Sequence, residues 1–180
     1  MKGFLYRAVV KRLYTNDRVY LMECKSRLEC VSPAIVRPVT YQNVNDATSF
    51  QSQAKVNTFI GFLDRGYRGY YGYLTDSCVH RSWVVTSGRV QLHKFYSKVL
   101  ESKEVFVQFC ETAPGARGHN IFAHVLSHIA KEFSTHRVLT AVDVNNKSSI
   151  KSMTKAGFQP VSEIHIRVVM GFKWVKSSLL

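Results

Sequence analysis

The stretch with the most chemistry in it is "ETAPGARGHN", Glu111 to Asn120, set between an apolar run "VFVQFC" and an amphipathic run "IFAHVLSHIAKEF". Ile121, Phe122, Val125, Leu126, Ile129 and Phe133 recur at three- and four-residue spacing, which predicts a helix with one continuous apolar face. The turn ahead of it, containing Gly115, Arg117, Gly118, His119 and Asn120, delivers backbone N–H groups to a helix N-terminus. Four donors there lack intrahelical partners and the dipole is positive, so phosphate oxygens are the natural ligand. The turn alone would equally suit an ordinary strand-to-helix connection. Metal chemistry has no comparable pattern. His124 and His128 lie four apart on one helical face, but no Glu follows His124 in the zinc-protease manner. Cys24, Cys30, Cys78 and Cys110 form no Cys-x-x-Cys pair and no ligand spacing, so no metal is expected. His80 shares a strand face with Cys78 and reads as a core or hydrogen-bonded imidazole.

From Val138 the chain reads "VLTAVDVNNKSSIKSMTKAGFQPVSEI": a second strand, a short helix and a third strand. Asn145 or Asn146 is placed to cap that helix and Gly157 to close it. In this order the two segments resemble the GCN5-related N-acetyltransferase (GNAT) superfamily, which transfers acyl groups from acyl-CoA, usually to amines. The family's loop pattern is Arg/Gln-x-x-Gly-x-Gly/Ala. Arg117 and Gly118 stand where its "R-G" begins, while Asn120 and Phe122 occupy the two nominal glycine positions. Asn146, Ser149, Ile150, Lys155, Gly157 and Phe158 fall on the family's Asn-x-x-Ala/Ser-Ile…Lys-x-Gly-Phe spacing. The resemblance runs from about Ala34 to Leu180.

The resemblance implies a single α/β domain: a mixed, mostly antiparallel sheet with a splayed centre, flanked by helices. It implies acetyl-CoA, or another acyl-CoA, as co-substrate. The main chain of Cys110, Thr112 and Ala113 would pair with the pantetheine arm. The N–H groups of Arg117, Gly118, His119, Asn120, Ile121 and Phe122 would surround the pyrophosphate. Asn146 and Ser149 would bridge sheet and cofactor, and Lys155 would reach a phosphate. Asn120 tolerates the left-handed conformation a glycine would otherwise supply, and Phe122 is expected to turn inward as core. An attacking ammonium must lose a proton. Glu104, thirteen residues before Arg117, matches the general-base spacing of the histone acetyltransferase branch, and Glu111 lies beside the loop. For both, a solvated strand-end charge is the alternative. The family's usual proton donor to the CoA thiolate is a Tyr, and Met153 stands in its place. Methionine donates nothing, which leaves Ser152, another Tyr, water, or unassisted departure. The acceptor class is a primary amine, with amino sugars suggested by the later motif. An aminoacyl-tRNA acceptor, or a catalytically silent module that binds acyl-CoA or nucleic acid, are the other readings.

The rest of the chain bounds these expectations. With 180 residues and 46% apolar content it suits one domain, residues 1–180, with 1–33 as an N-terminal extension outside the resemblance. A net charge of +13, from 25 Lys and Arg against 12 Asp and Glu, favours anionic partners. Because the charge is spread along the chain, acyl-CoA, an anionic acceptor, nucleic acid and an acidic protein all remain compatible. No run is long enough to span a membrane and no secretory pattern opens the chain, so reduced cysteines in a cytoplasmic protein are expected. The expected elements are these. Residues 4–13 form a hairpin or helix–strand addition, followed by a "TND" turn and a strand over Arg18 to Cys24. "AIVR" is a strand, and a "NVND" cap opens one or two helices that end at Gly66. "GYRGYYGYL" and "SCVHRSWVV" are paired strands, Leu92 to Leu100 is a helical or irregular connection, Glu104 to Glu111 is a strand, and two short C-terminal strands break at Met170-Gly171.

Overall fold

A computed structural model of the chain describes residues 14–180; the expected addition over residues 4–13 lies outside them. The strands are β1 (Tyr14–Cys24), β2 (Ile35–Pro38), β3 (Arg68–Leu74), β4 (Ser77–Val85), β5 (Arg89–His93), β6 (Tyr96–Val99), β7 (Glu104–Thr112), β8 (Arg137–Asp143), β9 (Phe158–Val169) and β10 (Phe172–Leu179). The helices are α1 (Gln53–Asp64), α2 (Ile121–Glu132) and α3 (Lys147–Lys155), with short 3-10 turns at Val44–Ser49 and Pro114–Ala116. Eight strands make one sheet in the order β10-β9-β1-β8-β7-β4-β3-β2, and β5 and β6 pair as a separate hairpin. The β7–β8 pair is parallel and the other neighbours are antiparallel. The α/β class and the mixed, mostly antiparallel sheet are therefore as the sequence predicts.

Period-two alternation divides the strands between two cores. Val105, Val107 and Val84 point to one face, where they pack with Val125, Leu126 and Ile129 of α2 and Met153 of α3. Phe106, Val85 and Leu139 point to the other, against Val90 and Leu92 of the hairpin. On that same side α1 packs Phe59 and Phe62 on Tyr71 and Trp83. The sheet is thus a wall with α2 and α3 on one side and α1 and the β5–β6 hairpin on the other.

What matters for function is where β7 and β8 part. Their register runs from Glu104↔Arg137 to Val107↔Thr140 and stops, although β7 continues to Thr112 and β8 to Asp143. The Thr140 hydroxyl donates to the Val107 carbonyl at 2.9 Å on that last rung. Just beyond it β7 carries an extra residue relative to β4: Arg81↔Glu111 is followed by Trp83↔Gln108. Phe109 sits in the bulge with φ 53°. A bulge bends its strand and adds local twist, which turns the end of β7 away from β8.

Three elements differ from the sequence reading. Leu92 to Leu100 is largely strand, because Val90 and Leu92 alternate into the core and pair the segment as a hairpin. Thr15, Asn16 and Asp17 are part of β1 and pair with Val168, Arg167 and Ile166, so long-range pairing overrides their turn preference. The C-terminal strands are long ones, of 12 and 8 residues, with the break at Met170-Gly171 as their turn. β1 itself lies between β8 and β9 inside the sheet. Among the described residues, no helix is long and apolar enough to cross a membrane.

Candidate active site

The parting of β7 and β8 opens a cleft of about 720 Å³, within the range of small-molecule sites. Its sides are Phe106–Thr112 of β7 and Thr140–Asp143 of β8. It reaches from Gln91 and Leu92 of the hairpin on one face to Phe122, Ser152 and Met153 of α2 and α3 on the other. Main-chain groups of Gln108 to Thr112 that would have met β8 face this gap.

At one end stands the N-terminus of α2. The helical ladder begins with the His124 N–H donating to the Asn120 carbonyl at 3.0 Å, so the amides of Ile121 and Phe122 are among those a helix leaves free. Asn120 takes the left-handed conformation, φ 59°, as its position requires. Its side chain does not cap the helix. Nδ2 donates to the Val31 carbonyl at 3.0 Å, and Oδ1 accepts from Lys155 Nζ at 3.3 Å. Gly118 has φ 88° with open space around it. At the start of α3, Asn146 caps the helix by accepting the Ser149 N–H at 3.1 Å, and both residues border the cleft.

The sites expected from the sequence divide cleanly. Cys110, Glu111, Thr112, Arg117, Gly118, Asn120, Ile121, Phe122, Asn146 and Ser149 border the cleft, but the Arg117 N–H expected to meet the pyrophosphate donates to the Pro114 carbonyl at 3.3 Å instead. Glu104, Ala113, His119 and Lys155 do not. Ala113 has no main-chain group to offer, because its N–H donates to Val79 and its carbonyl accepts from Ala116. The His119 ring turns back to the Ala116 carbonyl at 3.2 Å, and Lys155 is engaged with Asn120. Glu104 corrects the general-base expectation. It lies at the paired end of β7, 1% exposed, bound by Lys98, by Arg137 Nη1 at 2.8 Å and by the Glu101 N–H at 2.9 Å. Burial opposes its ionisation, but the Glu101 amide, Lys98 and Arg137 outweigh it and hold the carboxyl below the usual range.

Glu111 is different. Its carboxylate accepts from Arg81 Nη2 at 2.5 Å and faces Lys55 Nζ at 3.5 Å, on the α1 side of the sheet. Burial raises its pKa, and Gln51, Arg81 and Lys55 together bring it below the usual value. Arg81 also donates to the carbonyl of the bulge residue Phe109, so one guanidinium ties Glu111 to the bulge. Phe109 is half exposed and stacks on Phe62 with centroids 4.9 Å apart, forming an aromatic ledge beside Glu111.

On the α2 side His80 is fully buried, with Nδ1 2.7 Å from Thr112 Oγ1 and Nε2 2.8 Å from Ser82 Oγ. Burial, with Arg81 adding to it, pushes its pKa down to about 3, so the ring is neutral. Phe122 lies on that ring, centroids 5.7 Å apart, while also packing on the core. The inward turn expected for Phe122 is therefore met in part, since it also borders the cleft. Met153 is buried and faces the cleft from α3. Asp143, Gln108 and Thr140 border the cleft without having been singled out by the sequence. Their only signal was position at the ends of the two strands. Among the described residues, no cluster of three or more His, Cys, Asp or Glu could hold a metal ion.

No family model matches the chain, and no curated protein does. Solved structures do. A GNAT-family acetyltransferase from Colwellia psychrerythraea superposes with a TM-score of 0.62 at 13% identity, over 91% of this chain and 60% of its own. A GCN5-related glucosamine N-acetyltransferase region of a fungal multi-domain β-N-acetylglucosaminidase gives 0.58 at 10% identity, over 93% and 23%. The aminoglycoside N-acetyltransferase AAC(6')-Iy, solved in complex with CoA, gives 0.53 at 10% identity, over 69% and 91%. This chain thus spans about three-fifths of the length of the Colwellia protein. A parallel strand pair splayed at a bulge, with a helix N-terminus at the mouth of the gap, is the GNAT fold, and this chain has it.

Proposed function

We propose that the chain is an acyl-CoA-dependent N-acyltransferase, with acetyl-CoA as the default donor and a primary amine, an amino sugar or a small-molecule amine, as acceptor. The observation that carries this is the cleft between β7 and β8, which ends at the free amides of α2. The residues present fit an acyl-CoA. Gly118 and Asn120 hold the positive φ values the loop needs, Phe122 is turned onto His80, and the strand edge from Gln108 to Thr112 is unpaired on the cleft side. Acyl-CoA bound there would supply a thioester carbonyl for direct attack. Amides of Gly118, Asn120, Ile121 and Phe122 would hold its pyrophosphate, and the β7 edge would align its pantetheine arm.

The acceptor enters, on this reading, from the α1 side. Glu111 and the Phe109 ledge lie there, and two of the fold relatives are an aminoglycoside and a glucosamine N-acetyltransferase. Glu111 is ionised at neutral pH and offers a carboxylate oxygen as hydrogen-bond acceptor to the incoming ammonium. Its proton passes to the carboxylate or to water beside it. Lys55 and Arg81 make the same wall positive, which suits an acceptor that also carries an anionic group.

A catalytically silent acyl-CoA-binding module is the second reading, favoured by Met153 at the position of the usual proton donor. Two measurements separate them. Calorimetry with CoA should show binding under either reading, and its absence would remove both. Free-thiol release from acetyl-CoA over a panel of amino sugars and polyamines should be faster than buffer hydrolysis only if the chain is an enzyme. Glu111→Gln should then lower turnover while leaving CoA binding intact.

A further inference from the structure

We propose, resting on the acyltransferase reading, that Thr112 donates the proton taken up by the departing sulfur, and that His80 recharges it. Met153, at the usual donor position, offers no proton, yet the β4–β7 wall of the same cleft carries a continuous polar chain. Thr112 Oγ1 meets His80 Nδ1 at 2.7 Å, and His80 Nε2 meets Ser82 Oγ at 2.8 Å. The Ser82 hydroxyl in turn donates to the Cys110 sulfur, whose own S–H reaches the Gln108 carbonyl at 3.6 Å, and rotation of the hydroxyl and thiol reverses that direction. Thr112 and Cys110 both border the cleft, so both ends of the chain open on one cavity with the imidazole between them.

The ring is held for this use. Phe122 of α2 stacks on it, and Gly72 of β3 lies beneath, where an added Cβ would come within 3.1 Å of His80 Cβ. The groups around it are Thr112 from β7, Ser82 and its chain neighbour Arg81 from β4, Phe122 from α2 and Gly72 from β3. Burial keeps the imidazole neutral, and Arg81, the one full charge among these groups, adds to it. A neutral imidazole has one donor and one acceptor nitrogen and can exchange them. A buried imidazole also costs desolvation that an apolar side chain would avoid.

The step balances. The Thr112 O–H bond breaks as the S–H bond forms. Thr112 Oγ1 takes the proton on His80 Nδ1, Nε2 takes the Ser82 proton, Ser82 takes the Cys110 proton, and Cys110 recovers one from cleft water, which has received the proton released by the amine. One proton enters at Cys110 and one leaves at Thr112. The ring changes tautomer without gaining charge, and between turnovers the starting tautomer returns: Thr112 passes its proton to Nδ1 and takes one from cleft water, while Nε2, Ser82 and Cys110 hand one back to that water.

The test compares Thr112→Val with Thr112→Ser. A general acid contributes roughly 10²–10⁴-fold, so Thr112→Val should lower kcat at least about a hundredfold with KM for acetyl-CoA unchanged. Thr112→Ser should recover most of the loss, and the solvent isotope effect on wild-type kcat should vanish in the Val variant. In ligand-free protein, ¹⁵N spectra of His80 should show both tautomers averaging, collapsing to one when Thr112 is Val. Should Thr112→Val not fold, Ser82→Ala cuts the chain on the other side of the ring and carries the same expectation. Wild-type turnover in these variants, or a single tautomer unmoved by Thr112→Val, overturns the relay alone. Wild-type protein that binds CoA but releases no thiol, or binds no CoA, overturns the acyltransferase reading and the relay with it.

Discussion

Replacing Glu104 by Gln removes charge from a carboxylate that is 1% exposed and held by Lys98, Arg137 and the Glu101 N–H. The amide keeps one acceptor oxygen and turns an NH₂ group toward a cation. Removing one partner from a buried ion pair costs roughly 3–5 kcal/mol. Here Arg137 is half exposed and keeps Glu23 at 2.8 Å, so the loss should fall at the lower end, about 3 kcal/mol. For a domain of this length each kcal/mol moves Tm by roughly 2–4 °C, giving a fall of about 6–12 °C. Because the folded-state pKa of Glu104 lies below its unfolded value, its contribution is complete above the unfolded pKa and is lost as pH falls through the folded one. The difference between wild type and variant should therefore be full at pH 7 and shrink on acidification below about pH 4.3. Circular-dichroism melts at neutral and acidic pH measure this, and thiol release at 25 °C measures catalysis. A variant that melts with wild type but turns over a hundredfold slower, with its acid limb displaced, would make Glu104 the base and refute the structural role.

Other substitutions test the site's framework. Gly157 has φ 87°, and a Cβ there would lie 1.5 Å from the Ser26 carbonyl oxygen, so Gly157→Ala should leave little folded protein; a melt within 2 °C of wild type, roughly 1 kcal/mol, would contradict that packing. Gly118 has room for a Cβ but not the backbone conformation, so Gly118→Ala should cost about 1 kcal/mol and weaken CoA binding in calorimetry. An unchanged dissociation constant would remove Gly118 from the phosphate loop. Thr140→Val deletes the hydroxyl bond at the last rung between β7 and β8, and urea unfolding should register a loss of about 1 kcal/mol.

The strand–turn–helix from Val105 to Phe133 was legible because its hydrophobic period switches from two to about 3.6 at a turn that cannot be either. The left-handed Asn120 and the Asn146 cap were legible for the same local reason: each conformation is chosen by its own residue type. What escaped depended on partners distant in sequence. Spacing placed Glu104 near the loop, but only strand direction shows that it sits at the closed end of β7, among Lys98, Arg137 and Glu101. Ala113 looked available until Val79 took its N–H, and Lys155 looked free until Asn120 reached it. The β5–β6 hairpin carried the right alternation in Val90 and Leu92, but over too few residues to stand out from a loop.

The departures from the family pattern are physically coupled, and this bears on whether the cleft is kept for catalysis. Asn120 supplies the left-handed residue together with bonds to Val31 and Lys155 that glycine could not make. Phe122, where a small residue is usual, covers the face of His80; a glycine there would leave that ring surface open to the cleft. Met153 adds one apolar side chain to an α3 wall otherwise lined by Asn146, Ser148, Ser149 and Ser152, and the β4–β7 wall opposite carries the buried polar chain. Among the described residues, the buried side-chain nitrogens and oxygens without partners are Arg81 Nε and Trp83 Nε1. Neither belongs to the Thr112–His80–Ser82–Cys110 chain. A fully satisfied buried network stabilises one arrangement, whereas a half-satisfied one is worse than an apolar wall. A module that only binds acyl-CoA would be served as well by valine or leucine at His80. An imidazole buried at that position, bonded at both nitrogens and opening to the cleft at both ends of its chain, therefore weighs toward proton transfer.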